Sequence, residues 1–399
     1  MATNFVVESS SVAEFPLVDS FDDMGLSELL LRGVYAYGYE KPSPIQQAAI
    51  VPQLKGAGRD MLGQAQSGTG KTAAFAIGAL GRVDLEMKSV QVLVLSHTRE
   101  LADQTAKVFR GIGAFMKIKV VVAVGGDPRH ANVRDIRAGA QVVVGTPGRV
   151  YDLASKRDLD FSRLKSFILD EADEMLRDRF AEQVGEICKL GLPSSCRVAF
   201  FSATLPDEVR ELADTILHNP VRITLKTADV KLDGIKQYYV VLEDDGWKMD
   251  AFRDIFESLT IESSIVFCNT KERAERLYKT LTENGFPVSV IYGEMEQADR
   301  KARMDEFRRG TTRVLIATNL LARGIDVQQV SVVFNFDMPS FEDKENYIHR
   351  IGRCGRFGRK GVAISLLTPS EKDVMDQIAQ HYEFVPLALP EEVKSITST

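Results

Sequence analysis

The chain has 399 residues, enough for two ordinary domains, and 44% of them are apolar, so each half can bury its own core. A formal net charge of −6 argues against a polycationic nucleic-acid coat, while local basic clusters remain compatible with RNA. The 4 cysteines, Cys188, Cys196, Cys268 and Cys354, form neither a C-x-x-C zinc pattern nor a disulfide framework, and they fit a reducing compartment.

Residues 1–20 mix Ser, Glu and Asp with scattered apolar residues. They lack the basic start and apolar centre of a signal peptide and are expected to form a mobile tail. No apolar run is long enough to span a membrane, so no membrane association is expected. From there the chain alternates short apolar β-rich runs with amphipathic stretches. In the first half, residues 91–95, 120–124, 141–145, 166–169 and 197–201 read as strands. In the second half the strands are 264–267, 288–291, 313–316, 330–334 and 362–367, with helices over 100–109 and 272–284 among the intervening stretches. Nearly continuous Val, Ile, Leu and Phe is the mark of strands covered on both faces, and the alternation is the βαβ pattern of parallel sheets. The predicted architecture is α/β, with one unit over 21–224 and a second over 235–399. The polar, aperiodic stretch 225–234, LKTADVKLDG, joins them as a flexible linker.

Residues 65–72 read AQSGTGKT: Ala65, Gln66, Ser67, Gly68, Thr69, Gly70, Lys71 and Thr72. Glycines let backbone N–H groups close around phosphate oxygens, and a following helix turns its positive end towards them. Lys71 is placed to reach β- and γ-phosphates, and the Thr72 hydroxyl to bind Mg²⁺. The general phosphate-loop pattern has Gly where this chain has Ala65. The acids of residues 170–173, DEAD, follow a predicted strand, where ligands of parallel sheets bind. Asp170 suits a magnesium ligand, and Glu171 suits the orientation or deprotonation of attacking water. A nucleoside triphosphate with Mg²⁺ is the cofactor these motifs point to.

In this order and spacing, the motifs resemble those of the DEAD-box RNA helicases, from about Phe21 to Leu389. Residues 38–46 are similar to the family's Q motif. The phosphate loop, Thr98-Arg99, Gly125-Gly126, Thr146 to Arg149, DEAD, and Ser202 to Thr204 follow. The second half contributes Phe267 to Thr270, Gln297 to Arg300, Ala322 to Asp326 and His349 to Arg356. The resemblance implies two RecA-like domains that close on ATP and RNA. It implies that Gln46 reads adenine, that Tyr39 stacks on the base, that Phe21 is the upstream aromatic of the nucleotide site, and that Gly324 and Asp326 contact the nucleotide. Arg353 and Arg356 would reach the γ-phosphate from the second domain, so hydrolysis would require closure. RNA contacts would fall on Thr98, Arg99, Gly126, Thr146 and Arg149, and on Asn269, Arg300 and Thr318. Asp173, Ser202, Thr204 and His349 would couple the ATP and RNA sides.

Within the family, 21–24, 31–38, 234–237 and 345–349 are similar to the translation initiation factor 4A branch. That similarity implies a monomer that unwinds short RNA duplexes without sequence specificity, in the cytoplasm, for ribosome recruitment, with a translation initiation factor 4G-like scaffold as activator. The alternative is an ATP-gated RNA clamp that nucleates an exon-junction-like or ribosome-biogenesis complex, with nuclear residence. A DNA translocase is disfavoured by the Q motif together with DEAD and Ser202 to Thr204.

The chain also departs from the family pattern. His97 stands where Pro is usual, Asp127 where Thr is usual, Tyr292 where His is common and Asn319 where Asp is common. Cys354 stands where a small Ser, Thr or Gly is usual. Because it lies between two arginines, a lowered pKa and a reactive thiol are one expectation, and simple isosteric replacement is the other.

Overall fold

The computed structural model describes residues 5–6, 15–56, 58–65, 68–176, 178–225, 235–259, 261, 263–319, 330–354 and 361–390. The chain divides into two compact units, Met1–Lys226 and Thr227–Thr399. Most of the expected linker, 226–234, lies outside the described residues.

The first unit holds β1 (Phe5–Val6), β2 (Met61–Gln64), β3 (Val92–Leu95), β4 (Val120–Ala123), β5 (Val142–Gly145), β6 (Ser166–Asp170), β7 (Arg197–Ser202) and β8 (Val221–Leu225). Their order across the sheet is β1-β8-β2-β7-β6-β3-β5-β4, and all pairs are parallel except β1 with β8. Alternation along each strand explains the two cores. Val92, Val94, Val142 and Val144 enter the cluster on one face, and Leu93, Leu95, Val143 and Phe167 enter the cluster on the other. Each such side chain contributes about 1.5–3 kcal/mol of hydrophobic stabilisation. The helix Arg99–Ile112 starts where the Thr98 hydroxyl accepts from the Leu101 N–H at 3.2 Å. It lays Leu101, Ala102, Ala106, Phe109 and Ile112 on the sheet.

The second unit repeats the plan with β9 (Ile235–Val241), β10 (Ser264–Cys268), β11 (Val288–Ile291), β12 (Val314–Thr318), β13 (Val332–Asn335), β14 (Gly361–Leu367) and β15 (Leu387–Ala388). The order is β11-β12-β10-β13-β14-β9-β15, parallel throughout. Thr270 caps the helix Lys271–Glu283 as Thr98 caps its counterpart. Arg350 lies wholly buried. It donates to the side-chain carbonyls of Asn319 and Asn269 and to the Asp337 carbonyl, and burial lowers its pKa to about 10. Among the described residues, no helix is long and apolar enough to cross a membrane.

Three differences from the sequence reading have physical causes. The segment 1–20, expected as a mobile tail, is partly built into the first unit. Phe5 pairs with Leu225, Phe15 and Val18 pack on the core, and the Val18 N–H donates to the Gln47 carbonyl at 3.4 Å. β8 and β9 were not anticipated, because VRITL and IKQYYVV carry polar residues that break the apolar run. Gln91 lies before β3 rather than in it. Its side chain grips the Asp84 main chain, accepting at 2.8 Å and donating at 2.8 Å.

Candidate nucleotide and RNA site

The strands of the first unit run parallel, so the loops after β2, β7, β6, β3, β5 and β4 emerge along one edge. The phosphate-loop residues follow β2, and the helix Lys71–Leu80 begins directly after Gly70. Gly68 and Gly70 hold left-handed φ values of 81° and 98°, which glycine adopts without strain. A Cβ on Gly70 would lie 2.5 Å from Gln46 Nε2. Lys71 is buried, and its ammonium donates to the Ala65 carbonyl at 2.6 Å. Thr72 is half-buried on the next helical position, and Thr69 lies in the loop before it. Gln66 and Ser67 lie outside the described residues.

Ser43 and Gln46 stand at capping-box spacing on the helix Pro44–Lys55, and Gln46 makes the returning half of that box. The Gln46 carbonyl accepts from the Ser43 N–H at 2.8 Å, and its amide donates to the Gly70 carbonyl at 3.3 Å. The expected adenine-reading side chain is therefore tied to the phosphate loop itself. Tyr39 is half-buried, with its ring 5.4 Å from that of Tyr37. Phe21, the upstream aromatic, is fully buried in the core and meets Tyr35 edge-on.

Asp170 ends β6, and Glu171 begins the turn into the helix Ala172–Met175. Burial, and then the neighbouring Glu171 carboxylate, push the Asp170 pKa up to about 7. Lys71, the Glu171 N–H and the Thr105 hydroxyl oppose them. Two adjacent carboxylates, Asp170 and Glu171, supply oxygen donors beside the phosphate loop, and the Lys71 ammonium stands close to Asp170 as a counter-charge rather than a ligand. That chemistry fits a hard divalent cation such as Mg²⁺. Glu171 takes a left-handed φ of 52°, a strained conformation for a non-glycine residue of the kind that collects at functional sites. Its Oε2 lies 3.3 Å from His97 Nδ1, an ion-pair distance without the alignment of a full hydrogen bond. Beyond β7, the Thr204 hydroxyl donates to Asp173 Oδ2 at 2.5 Å, and the Thr204 N–H donates to Ser202 Oγ at 3.3 Å.

The expected RNA contacts of this unit gather after β3, β5 and β4. Thr98 caps its helix, and Arg99 follows, with its guanidinium 3.4 Å from where a Cβ of Gly125 would stand. Gly126 has a φ of 90°. Thr146 precedes the helix Pro147–Ser155, and Arg149 on that helix donates to Asn132 Oδ1 at 2.6 Å and to the Asp127 carbonyl at 2.8 Å. Asp127 itself is exposed. Nucleotide-type and RNA-type groups therefore occupy adjacent halves of one sheet edge and meet between β6 and β3.

In the second unit, Asn269, Arg300 and Thr318 follow or end β10, β11 and β12, which are neighbours in the sheet. The Asn269 side chain donates to the Met338 carbonyl at 2.7 Å, and Arg300 donates to the Gly293 carbonyl. Tyr292 lies under the Lys271 ammonium, 5.1 Å from its ring centre. His349 is buried, and its carbonyl accepts from Arg353 Nε at 3.2 Å. Gly324, Asp326 and Arg356 lie outside the described residues. The reactive-thiol expectation for Cys354 is overturned. The thiol is buried, donates to the Ile351 carbonyl at 3.1 Å, and burial drives its pKa up to about 12.

Two features were not read from the sequence. The His97–Glu171 approach joins loops that are distant in the chain, and only the unusual His97 marked the place. The Thr105 hydroxyl, 3.4 Å from Asp170 Oδ2, carried no local signal at all.

Comparison with known proteins agrees with this geometry. Residues 43–212 match the DEAD/DEAH box helicase family, and residues 247–358 match the helicase conserved C-terminal domain. The chain is 51% identical to the ATP-dependent RNA helicase eIF4A of Aspergillus niger, over 92% of this chain and 91% of that protein. It is 50% identical to the eIF4A of Pyricularia oryzae over the same shares. Among solved structures, Saccharomyces cerevisiae Dbp5 bound to RNA and ADP BeF3 is similar, with 39% identity and a TM-score of 0.89, covering 95% of this chain and 99% of that one. The two α/β units correspond to the tandem RecA-like domains of such helicases. The chain belongs to the DEAD-box family of ATP-dependent RNA helicases and is of the eIF4A type.

Proposed function

We propose that this helicase unwinds short RNA duplexes without sequence preference during translation initiation, as a cytoplasmic monomer. One observation carries the reading. The groups at the RNA half of the first unit's edge are hydroxyls, backbone positions and guanidinium groups, namely Thr98, Arg99, Gly126, Thr146 and Arg149. Such groups suit phosphate and 2′-OH, which carry no base sequence. Asn269, Arg300 and Thr318 supply the same chemistry from the second unit.

In this reading Lys71 binds the β- and γ-phosphates and Gln46 holds adenine. Thr72 and Asp170 hold Mg²⁺, which when bound neutralises charge on the phosphate oxygens. Glu171 orients water. Arg353 and Arg356 steady the transferring phosphoryl, a role worth on the order of 10³–10⁵ in rate. Asp173, Ser202, Thr204 and His349 couple this chemistry to RNA. The two units are joined through 226–234, so aligning them carries an entropic cost. A translation initiation factor 4G-like scaffold that touches both units would offset that cost and raise the ATPase rate. The eIF4A names of the relatives support this choice over the RNA-clamp reading.

The test is an unwinding assay on duplexes of increasing length and varied sequence, with and without such a scaffold. Short duplexes should open at sequence-independent rates that the scaffold raises, and RNA affinity should need ATP and fall with salt. Tight ATP-independent binding to one sequence, or long-lived ATP complexes with negligible turnover, would overturn the reading.

A further inference from the structure

β3 and β6 are neighbours, and Leu95 stands opposite Leu169 in their register. Continuing each strand by two residues reaches His97 on one and Glu171 on the other, and their side chains meet at 3.3 Å with 3% and 12% exposure. The contact stands where the nucleotide half of the sheet edge borders the RNA half. On the RNA side, His97 is one peptide bond from Thr98, whose hydroxyl caps the helix that begins with Arg99. Any RNA-driven shift of Thr98 and Arg99 is therefore felt directly at His97. On the nucleotide side, Glu171 is held in a left-handed turn beside the buried Asp170. The His97 ring is in place to restrict the Glu171 carboxylate from the neighbouring loop. The proline usual at this position in the family has no polar side-chain atom that could reach Glu171.

We propose that His97 is a positioning residue for ATP hydrolysis, fixing the Glu171 carboxylate and relaying RNA engagement at Thr98 and Arg99 to it. This rests on Glu171 as the water-orienting group of an RNA-stimulated ATPase. The relay stays within the first unit and needs no residue of the second. It also gives the substitution of His for Pro a consequence: a side-chain contact does in this chain what a fixed φ does where proline is present.

The experiment compares ATP hydrolysis by the full chain, with and without single-stranded polyuridine, in wild type and in His97→Phe, His97→Ala and His97→Asn. Phe keeps the ring volume without its nitrogens, so it tests the contact even where Ala loosens the loop. Asn restores a donor near the Nδ1 position. Expected is a fall of about tenfold in the RNA-stimulated kcat of the Phe and Ala variants, the scale of losing one charged polar contact. KM for ATP should stay within about twofold, and His97→Asn should recover to within about threefold of wild type. The proposal is overturned if His97→Phe keeps the wild-type kcat, if its loss lies in KM alone, or if His97→Asn falls as far as His97→Phe. A wild-type rate that RNA does not change would overturn the underlying reading as well, which separates the two failures.

Discussion

The Thr204 hydroxyl donates to Asp173 Oδ2 at 2.5 Å, tying the loop after β7 to the short helix after β6. Asp173 is almost wholly buried. Removing a donor from a buried carboxylate costs about 1–3 kcal/mol. Thr204→Val should destabilise the first unit by that amount in urea titrations, and Thr204→Ser should recover most of it. If the bond also couples ATP to RNA, the Val variant should unwind less RNA per ATP hydrolysed than wild type. An unchanged unfolding midpoint would show that the bond is dispensable.

Gly70 combines a left-handed φ with a neighbour, Gln46 Nε2, at 2.5 Å from any added Cβ. Gly70→Ala therefore strains the loop twice and pushes away the side chain expected at adenine. Nucleotide affinity should fall by at least about tenfold, the equivalent of some 1.4 kcal/mol. Calorimetric titration with ADP checks it, and an affinity within twofold of wild type would contradict the assigned loop geometry.

The pH dependence of the nucleotide-free protein follows from Asp170. Its folded-state pKa, about 7, lies above the ordinary carboxylate value of 3.8 because burial and Glu171 disfavour its charge. Between these values the folded state binds more protons than the unfolded state, so this group's contribution to stability falls as pH rises. The contribution is full below about pH 4 and lost by about pH 7. Asp170→Asn should flatten that slope in melts recorded without nucleotide. A variant whose melting temperature follows pH as wild type does would place the origin elsewhere.

Cys354 should resist alkylation in the native protein. Its thiol is buried, with a pKa near 12, and burial likewise raises Cys188 to about 11 and Cys196 to about 12. Iodoacetamide followed by mass spectrometry should find Cys354 modified only after denaturant is added. Rapid native labelling of Cys354 with loss of ATPase would restore the reactive-thiol expectation.

Much of this architecture was legible locally. Runs such as VLVL at β3 and VVVG at β5 are apolar on both faces, and only a sandwiched parallel strand needs that. Residues 65–72 and Asp170-Glu171 stood out as candidates because phosphate and metal chemistry demand particular residues at fixed offsets. The tie from Gln46 to Gly70 was half visible, since Ser43 and Gln46 show capping-box spacing, but its other partner belongs to a different loop. What was not legible depends on strand order. The neighbourhood of β3 and β6 brings His97 to Glu171, and no local pattern encodes it. Burial explains the difference at Cys354. It was read by its sequence neighbours, while the packing of the core decides its chemistry.

The most direct test of the account is Glu171→Gln. This change removes the charge expected to handle water and leaves Lys71, Thr72 and Asp170 in place to bind nucleotide. ATPase turnover should fall by about 10²–10⁴-fold, the range for loss of a general acid–base group. ATP affinity measured on the same preparation should stay within about twofold, and Lys71→Ala should instead weaken nucleotide binding. Turnover in Glu171→Gln equal to wild type, with both arms measured in saturating RNA, would contradict the assignment of this site.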